Sequence, residues 1–249
     1  MSVLNALLKA AACSLTVAGL LSAPAFAQIE YSAGHGDIGI EFLGGGELEP
    51  HWHFENEDDD TVLDGVVQIG QPEVEYEADE VYARVPDLSI EPSPAPFAGT
   101  GSIYVLEETE SQASADNAPY LGIGLEELDA ANWPAGIDLT FAVDGPGDFS
   151  LWRVPTLSPP AVDISTIDGD LSVNLDAGAH THFNWGFTDP GVYEISITAD
   201  GTDAAGAPAT GTATYLFVVG SSTLVPEPGS MALVSLGLSA LAIVRRKRA

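Results

Sequence analysis

The strongest secondary-structure signal in this chain of 249 residues lies between Val192 and Val219, in the run VYEISITADGTDAAGAPATGTATYLFVV. Over Val192–Ala199, large apolar side chains alternate with polar ones, which is the period of two of a strand with one buried face. A second apolar run, Ala213–Val219, follows a stretch rich in glycine and alanine that begins at Asp200-Gly201. The pattern predicts an antiparallel hairpin with a long loop.

Further short runs with the same character precede this hairpin, and turn residues separate them. The additional predicted strands are Asp37–Phe42, His51–Phe54, Thr61–Gln68, Glu80–Val85, Gly101–Leu106, Ile137–Val143, Phe149–Val154, Leu171–Leu175 and His182–Phe187. The segment Pro119–Ala130 instead favours a short helix, and the proline-rich segment Glu91–Pro96 favours a loop. So many short strands predict an all-β fold, a single β-sandwich or jelly-roll-like (Ig-like) domain.

The amino terminus has the three parts of a secretory signal peptide. Lys9 is followed by the apolar stretch Ala10–Leu21 and then by Ala25-Phe26-Ala27, a small-x-small cleavage pattern. We expect residues 1–27 to be removed by signal peptidase before Gln28. The mature chain then contains no cysteine, because Cys13 lies in the signal, so its stability must come from a packed core.

The carboxyl terminus also has three parts, and we treat residues 223–249 as one sorting tail. Pro226-Glu227-Pro228 precedes the apolar run Met231–Val244, which the basic cluster Arg245-Arg246-Lys247-Arg248 follows. As a helix, this run would be about 21 Å long, shorter than the roughly 30 Å of a bilayer core. A short transmembrane helix with a cytoplasmic basic end is predicted, which leaves the domain outside the membrane.

This tail resembles the PEP-CTERM sorting signal, with Pro226, Glu227, Pro228, Arg245 and Arg246 as its marker residues. The resemblance implies a protein of a Gram-negative bacterium that is exported, anchored in the membrane by the tail helix and processed by an exosortase. Its expected destination is the cell surface or the extracellular matrix.

The charge of the exported part is strongly negative. Between Gln28 and Pro228 lie all 37 acidic residues of the chain, against two basic ones, Arg84 and Arg153, which gives a formal charge of −35. Such a field repels nucleic acid and attracts cations. Nucleic-acid binding is therefore excluded, and a cationic partner is favoured.

All five histidines fall in three short motifs, Gly34-His35-Gly36-Asp37, His51-Trp52-His53 and His180-Thr181-His182. Alternate residues of a strand point to the same face, so each His-x-His pair can direct two imidazoles at one metal ion. We predict that the two pairs meet in a single pocket, with zinc as the first choice of ion. The predicted ligands are His51, His53, His180 and His182, supplemented by His35 and Asp37 as a further ligand or as orienting hydrogen-bond partners.

The same motifs, together with Leu151-Trp152-Arg153-Val154 and the segment His180–Tyr193, resemble the choice-of-anchor M family over residues 28–222. These are bacterial surface domains carried on different anchors, and some relatives are associated with metal-uptake transporters. The resemblance implies zinc handling at the envelope. The first motif departs from the family pattern in Gly36, where a larger residue is expected.

Other functions are compatible with parts of the same sequence. A calcium ion bound by Asp58, Asp59 and Asp60 is a lesser possibility, because the spacing is not that of an EF-hand. No motif of a known hydrolase occurs, so we expect a non-enzymatic metal-binding protein for scavenging or storage. The alternatives are an adhesion module that binds extracellular polysaccharide without a metal, and a metal-dependent hydrolase with Glu55 as general base.

Overall fold

The structure, a computed structural model, describes residues 28–54, 61–68, 70–87, 91–92, 102–154 and 161–221. Strands dominate these ranges, so the all-β prediction is confirmed. The elements are β1 Ile29–Gly44, β2 Glu47–Phe54, β3 Val62–Leu63, β4 Val66–Val67, β5 Val74–Tyr76, β6 Val81–Val85, β7 Glu91–Pro92, β8 Ser102–Leu106, α1 Glu110–Asp116, β9 Pro119–Gly124, β10 Ile137–Asp144, β11 Phe149–Arg153, β12 Ala161–Ser165, β13 Ser172–Leu175, β14 His180–His182, β15 Asn184–Phe187, β16 Gly191–Thr202 and β17 Pro208–Val219.

Several predictions fall outside the described residues. These are the signal peptide 1–27, the sorting tail 223–249, the calcium ligands Asp58–Asp60, the general base Glu55 and most of the predicted loop Glu91–Pro96. The first two residues of that loop form strand β7, which pairs with β8. Within the described ranges, the structure contains no helix of the length and hydropathy needed to cross a bilayer.

The strands form two sheets. The larger sheet has twelve strands, and its main path runs β13-β10-β16-β17-β2-β1-β3-β4. Strands β5, β6, β9 and β14 join it away from that path, with β9 paired to both β1 and β14. The smaller sheet has five strands in the order β12-β11-β15-β8-β7.

The hairpin predicted from the sequence exists, but its strands are longer and its loop shorter than expected. Strands β16 and β17 pair without interruption from Gly191 opposite Val219 to Thr202 opposite Pro208, which leaves only residues 203–207 for the turn. The glycine- and alanine-rich stretch therefore belongs to the strands. Its small residues were misread as loop, because they lack the large apolar side chains that mark a strand in sequence.

The two sheets pack against each other through aromatic side chains. The Trp185 ring of the smaller sheet lies 5.4 Å from the Phe217 ring of the larger one, and Phe187 lies 4.9 Å from Tyr193. Trp185 also donates its indole N–H to the carbonyl of Leu121, at 3.1 Å. One continuous buried cluster contains side chains from both sheets, so the domain has one main core.

The run Thr61–Gln68 was expected to be one strand, but it forms the short hairpin of β3 and β4. Two further local predictions are wrong. The segment Pro119–Ala130 was expected to be helical, but it begins with strand β9, and the helix α1 lies just before it. The run His182–Phe187 was expected to be one strand, but it divides at Phe183 between β14 in the larger sheet and β15 in the smaller. Phe183 is fully buried at this crossing. Both differences matter for the histidines, because β9 and β14 build the site.

Candidate metal centre

All five histidines lie on one face of the larger sheet. Strands β2, β1, β9 and β14 run side by side there, and residues directly opposite one another share a face. The first row across these strands is His53, Asp37, Gly122 and His182, and the next row is His51, Gly39, Gly124 and His180. His35 precedes Asp37 by two residues and points the same way. The other face of β1 and β2 carries core side chains such as Ile38 and Trp52.

Four of these side chains converge in what we call the first cluster, which consists of His35, Asp37, His180 and His182. His35 Nε2 lies 3.3 Å from Nε2 of both His180 and His182, and 3.2 Å from Asp37 Oδ2. His180 Nε2 lies 2.9 Å from Asp37 Oδ1. Three imidazole nitrogens and one carboxylate are thus gathered from β1 and β14, more than 140 residues apart in sequence.

The surroundings favour a neutral imidazole at His182 and an ionised carboxylate at Asp37. Burial lowers the pKa of His182 to about 3, and its ring stacks on Tyr120 with centroids 3.6 Å apart. Burial alone would raise the pKa of Asp37, but the hydrogen bond from His180 and the charges of the nearby histidines lower it below its usual value. Both groups are therefore in the protonation state that a metal ligand requires.

A carboxylate outside the cluster orients His180. Glu126, in the loop after β9, places Oε1 2.6 Å from His180 Nδ1. A proton on Nδ1 that is donated to this carboxylate leaves the Nε2 lone pair directed at the cluster. Carboxylate–histidine pairs of this kind commonly fix the tautomer of a metal ligand.

Two glycines of β9 form the floor beneath the first cluster. A Cβ atom at Gly122 would lie 2.2 Å from Asp37 Oδ1 and 3.0 Å from His182 Cε1. A Cβ atom at Gly124 would lie 2.6 Å from Glu126 Oε2. The carboxylates of Asp37 and Glu126 therefore occupy the space that a side chain at Gly122 or Gly124 would fill.

The second cluster consists of His51, His53 and Glu127. His51 Nε2 lies 3.3 Å and His53 Nδ1 3.9 Å from Glu127 Oε1. Burial would lower the pKa of His51, but the contact with Glu127, the hydrogen bond to the Glu49 carbonyl and the charge of Glu75 together raise it. The same contact lowers the pKa of Glu127.

The prediction of a single pocket for both His-x-His pairs is therefore wrong. Strands β1 and β9 lie between β2 and β14, which separates the two pairs by three strand spacings, about 14 Å. Each pair instead has its own acidic partner from the loop after β9, where Glu126 contacts His180 and Glu127 contacts His51. His35 and Asp37, expected in a supporting role, complete the first cluster.

Acidic side chains border the second cluster. Opposite His53 on the neighbouring strand β5 lies Glu75, and Glu73 Oε1 is 2.5 Å from His53 Nε2. His51 lines a cavity of about 200 Å³ together with Glu41, Glu49, Glu75, Tyr76, Glu77 and Glu80. Burial and the negative charge of Glu41 raise the pKa of Glu49, as expected where carboxylates crowd together. This pocket attracts cations toward the histidine face.

Glu126, Glu127 and the two floor glycines, Gly122 and Gly124, were not among the predicted site residues, because their segment was expected to be helical. A signal for the strand was present. From Pro119 to Leu125 the sequence PYLGIGL places Leu121, Ile123 and Leu125 at alternate positions, with glycines at two of the positions between them. Gly122 and Gly124 lowered the strand propensity of this segment, although the first cluster requires residues without a side chain at these two positions.

An all-β domain with buried histidine–carboxylate clusters on one sheet face defines a candidate metal-binding β protein. Comparison with family models gives information about localisation: the PEP-CTERM protein-sorting motif matches residues 224–248. Proteins with this motif are exported, directed to the cell surface and processed by an exosortase, so this chain is an exported, surface-directed protein. No curated protein and no solved structure matches the chain.

Proposed function

We propose that this protein binds a transition-metal ion, with zinc as the first choice, at the first cluster. The observation that carries the proposal is the convergence of three imidazole nitrogens and the Asp37 carboxylate at 2.9–3.3 Å from one another along the measured edges. In a tetrahedral zinc site with bonds of about 2.0–2.1 Å, ligand atoms lie about 3.3 Å apart. Four of the six distances among these groups are therefore close to those of a tetrahedral ligand set, and one ligand atom of each group lies within 4.8 Å of the others.

The proposal is a binding function and not a catalytic one. Catalytic zinc sites have three protein ligands and an open position for water, whereas four protein ligands characterise structural or storage sites. Here His35 and Asp37 are buried, His182 is half-buried with one ring face stacked on Tyr120, and His180 is the exposed member of the set. Four ligands fill the tetrahedron, which supports a non-enzymatic role.

The location suggests scavenging or storage of the metal at the envelope. The sorting motif directs the chain outward, and we propose that the tail helix anchors it in the membrane of a Gram-negative bacterium before exosortase processing. The negative charge of the exported part raises the local concentration of cations. The proposed membership of the choice-of-anchor M family agrees with this role.

We also propose that the domain is an Ig-like β-sandwich. Its two sheets share one core, and the Tyr193 hydroxyl donates to the carbonyl of Asp189, four residues upstream, at 3.0 Å. A tyrosine bonded to the backbone just upstream at a strand start is a feature of Ig-like sandwiches. Gly191, the first residue of β16, has a φ of 148°, a backbone conformation that glycine adopts readily.

The polysaccharide-binding alternative receives no support from the tryptophans. All four tryptophans, Trp52, Trp133, Trp152 and Trp185, are at most 4% exposed. A sugar-stacking platform needs exposed rings, so the tryptophans do not provide one.

Metal analysis tests the proposal. The mature chain from Gln28, purified without a tag in mild detergent, should retain zinc through dialysis and lose it to a strong chelator. At zinc concentrations about 100 times Kd, binding contributes about 2.7 kcal/mol, so chelation should lower the melting temperature by about 5–10 °C.

The variant His182→Ala should lose this zinc-dependent stabilisation, because it removes one of the four ligands. Asp144→Asn is the matched control, since Asp144 is exposed at the end of β10 and belongs to neither cluster. Equal zinc content in His182→Ala and the control, measured by elemental mass spectrometry, would disprove the proposed site.

A further inference from the structure

In the second cluster, a hydrogen bond to one ring nitrogen of each histidine, His51 and His53, fixes the tautomer of that ring. His51 Nδ1 donates to the carbonyl of Glu49 at 3.2 Å, which leaves the lone pair on Nε2. His53 Nε2 donates to Glu73 Oε1, which leaves the lone pair on Nδ1. This is the pattern in which metal-ligating histidines are held by a carbonyl or a carboxylate.

Both lone pairs face the same carboxylate oxygen, Oε1 of Glu127. His51 is 5% exposed, and its Nε2 makes no hydrogen bond of acceptable geometry within the described part of the chain. A buried nitrogen lone pair next to a carboxylate oxygen is unfavourable unless a cation lies between them. A proton on one histidine would satisfy only the contact between that ring and Glu127. A metal ion would satisfy His51 Nε2, His53 Nδ1 and Glu127 Oε1 together.

The backbone beside the second cluster leaves room for such an ion. Gly39 on β1 lies opposite His51, and a Cβ atom there would lie 2.6 Å from His51 Nε2 and 3.2 Å from His53 Cβ. Glycine at this position clears the space in front of the ligand nitrogen, as Gly122 does in the first cluster.

We infer that the histidine face holds a second divalent transition-metal ion, bound by His51 Nε2, His53 Nδ1 and Glu127. This inference goes beyond the proposed function, because the ligands are different residues and the site does not require the first ion. The adjacent residues Glu126 and Glu127 serve one site each, so a two-residue segment of the loop after β9 supports both.

The two sites differ in ligand number and exposure. Three protein ligands leave a tetrahedral ion with one position for water. The Glu127 side chain is 29% exposed, whereas that of Asp37 is 3% exposed. The second site therefore binds more weakly and exchanges faster than the first, and the acidic pocket beside His51 supplies it with cations.

Zinc titration of the metal-free mature chain tests the inference. Equilibrium dialysis against buffered free Zn²⁺, with bound metal counted by mass spectrometry, should show two ions that bind in a tight and a weak step. Gly39→Ala and Glu127→Gln should each weaken the weak step by about 10-fold or more while the tight step stays unchanged. Asp37→Asn should do the reverse, and so each set of variants controls for the other.

The outcomes separate the two proposals. A wild-type chain that saturates at one ion whose binding Glu127→Gln leaves unchanged, or a weak step that survives in both Gly39→Ala and Glu127→Gln, overturns the second site. A tight step that survives Asp37→Asn and His182→Ala overturns the first site and leaves the second untouched. Glu127→Gln changes one loop side chain, so a folding defect in Gly39→Ala would not remove the test.

Discussion

Asp37→Asn should weaken zinc binding at the first cluster by about 3 kcal/mol, about 100-fold, and should destabilise the metal-free protein by a smaller amount, because the nearby histidines already lower the pKa of Asp37 without metal. Asp37 is the one anionic ligand of this cluster and is 2% exposed. Removing one partner of a buried charge pair costs about 3–5 kcal/mol, and the bound ion loses that compensation. Without metal, the buried carboxylate is held by His180, and asparagine can accept the same hydrogen bond.

The measurement is the melting temperature of wild type and Asp37→Asn, each with chelator and with zinc, together with a competition titration of zinc affinity. A ligand role predicts that the difference between the two melting temperatures is larger with zinc than in chelator. A purely structural role predicts the same difference under both conditions, and that result would contradict the assignment of Asp37. Asp144→Asn again serves as the charge-matched control.

The sequence predicted what depends on local periodicity. The pairing of β16 with β17 followed from alternation within a short window, as did the shared orientation of each His-x-His pair. These predictions needed no knowledge of which strands are neighbours.

The partners of each histidine pair could not be predicted from the sequence, because strand order depends on contacts between distant segments. His180 and His182 meet His35 because β9 joins β14 to β1, and β9 had been assigned to a helix. The departure at Gly36 had weakened the case for His35 as a ligand. In the structure Gly36 lies on the opposite face, where a Cβ atom would lie 2.6 Å from the Phe54 ring, so its size concerns core packing and not the ligands.

The two glycines of β9, Gly122 and Gly124, bear both on the wrong helix prediction and on the space available to the first cluster. A strand normally disfavours glycine, which costs roughly 0.5–1 kcal/mol relative to alanine. Gly122 and Gly124 do not have positive φ values, so backbone conformation does not require them. Their presence is explained by the carboxylates of Asp37 and Glu126, which lie against the bare backbone. Glycine at these two positions thus lowers the intrinsic stability of the strand but leaves space for the carboxylates of Asp37 and Glu126.

Gly122→Ala should therefore weaken zinc binding at the first cluster strongly without unfolding the domain. The added methyl group would lie 2.2 Å from Asp37 Oδ1 and 3.1 Å from His182 Nε2, so the carboxylate must turn away from the ion position. The clash is with side-chain ends that can move, and alanine is the better strand residue. We therefore expect a metal-free melting temperature close to that of wild type, and a loss of zinc affinity of about 100-fold, comparable with removal of the Asp37 charge.

Gly124→Ala is the matched comparison, because it adds the same methyl group two residues along the same strand. Its Cβ atom would meet Glu126 Oε2, the end of a side chain that is 41% exposed and orients His180 without belonging to the cluster. Loss of an orienting partner costs about 10-fold to 100-fold in metal affinity, so this variant should bind zinc more tightly than Gly122→Ala. Zinc competition titrations of both variants, with circular dichroism to verify the fold, decide the matter. Wild-type affinity in Gly122→Ala would show that Asp37 does not have to occupy that position to hold the ion, and the ligand set drawn from the first cluster would then be wrong.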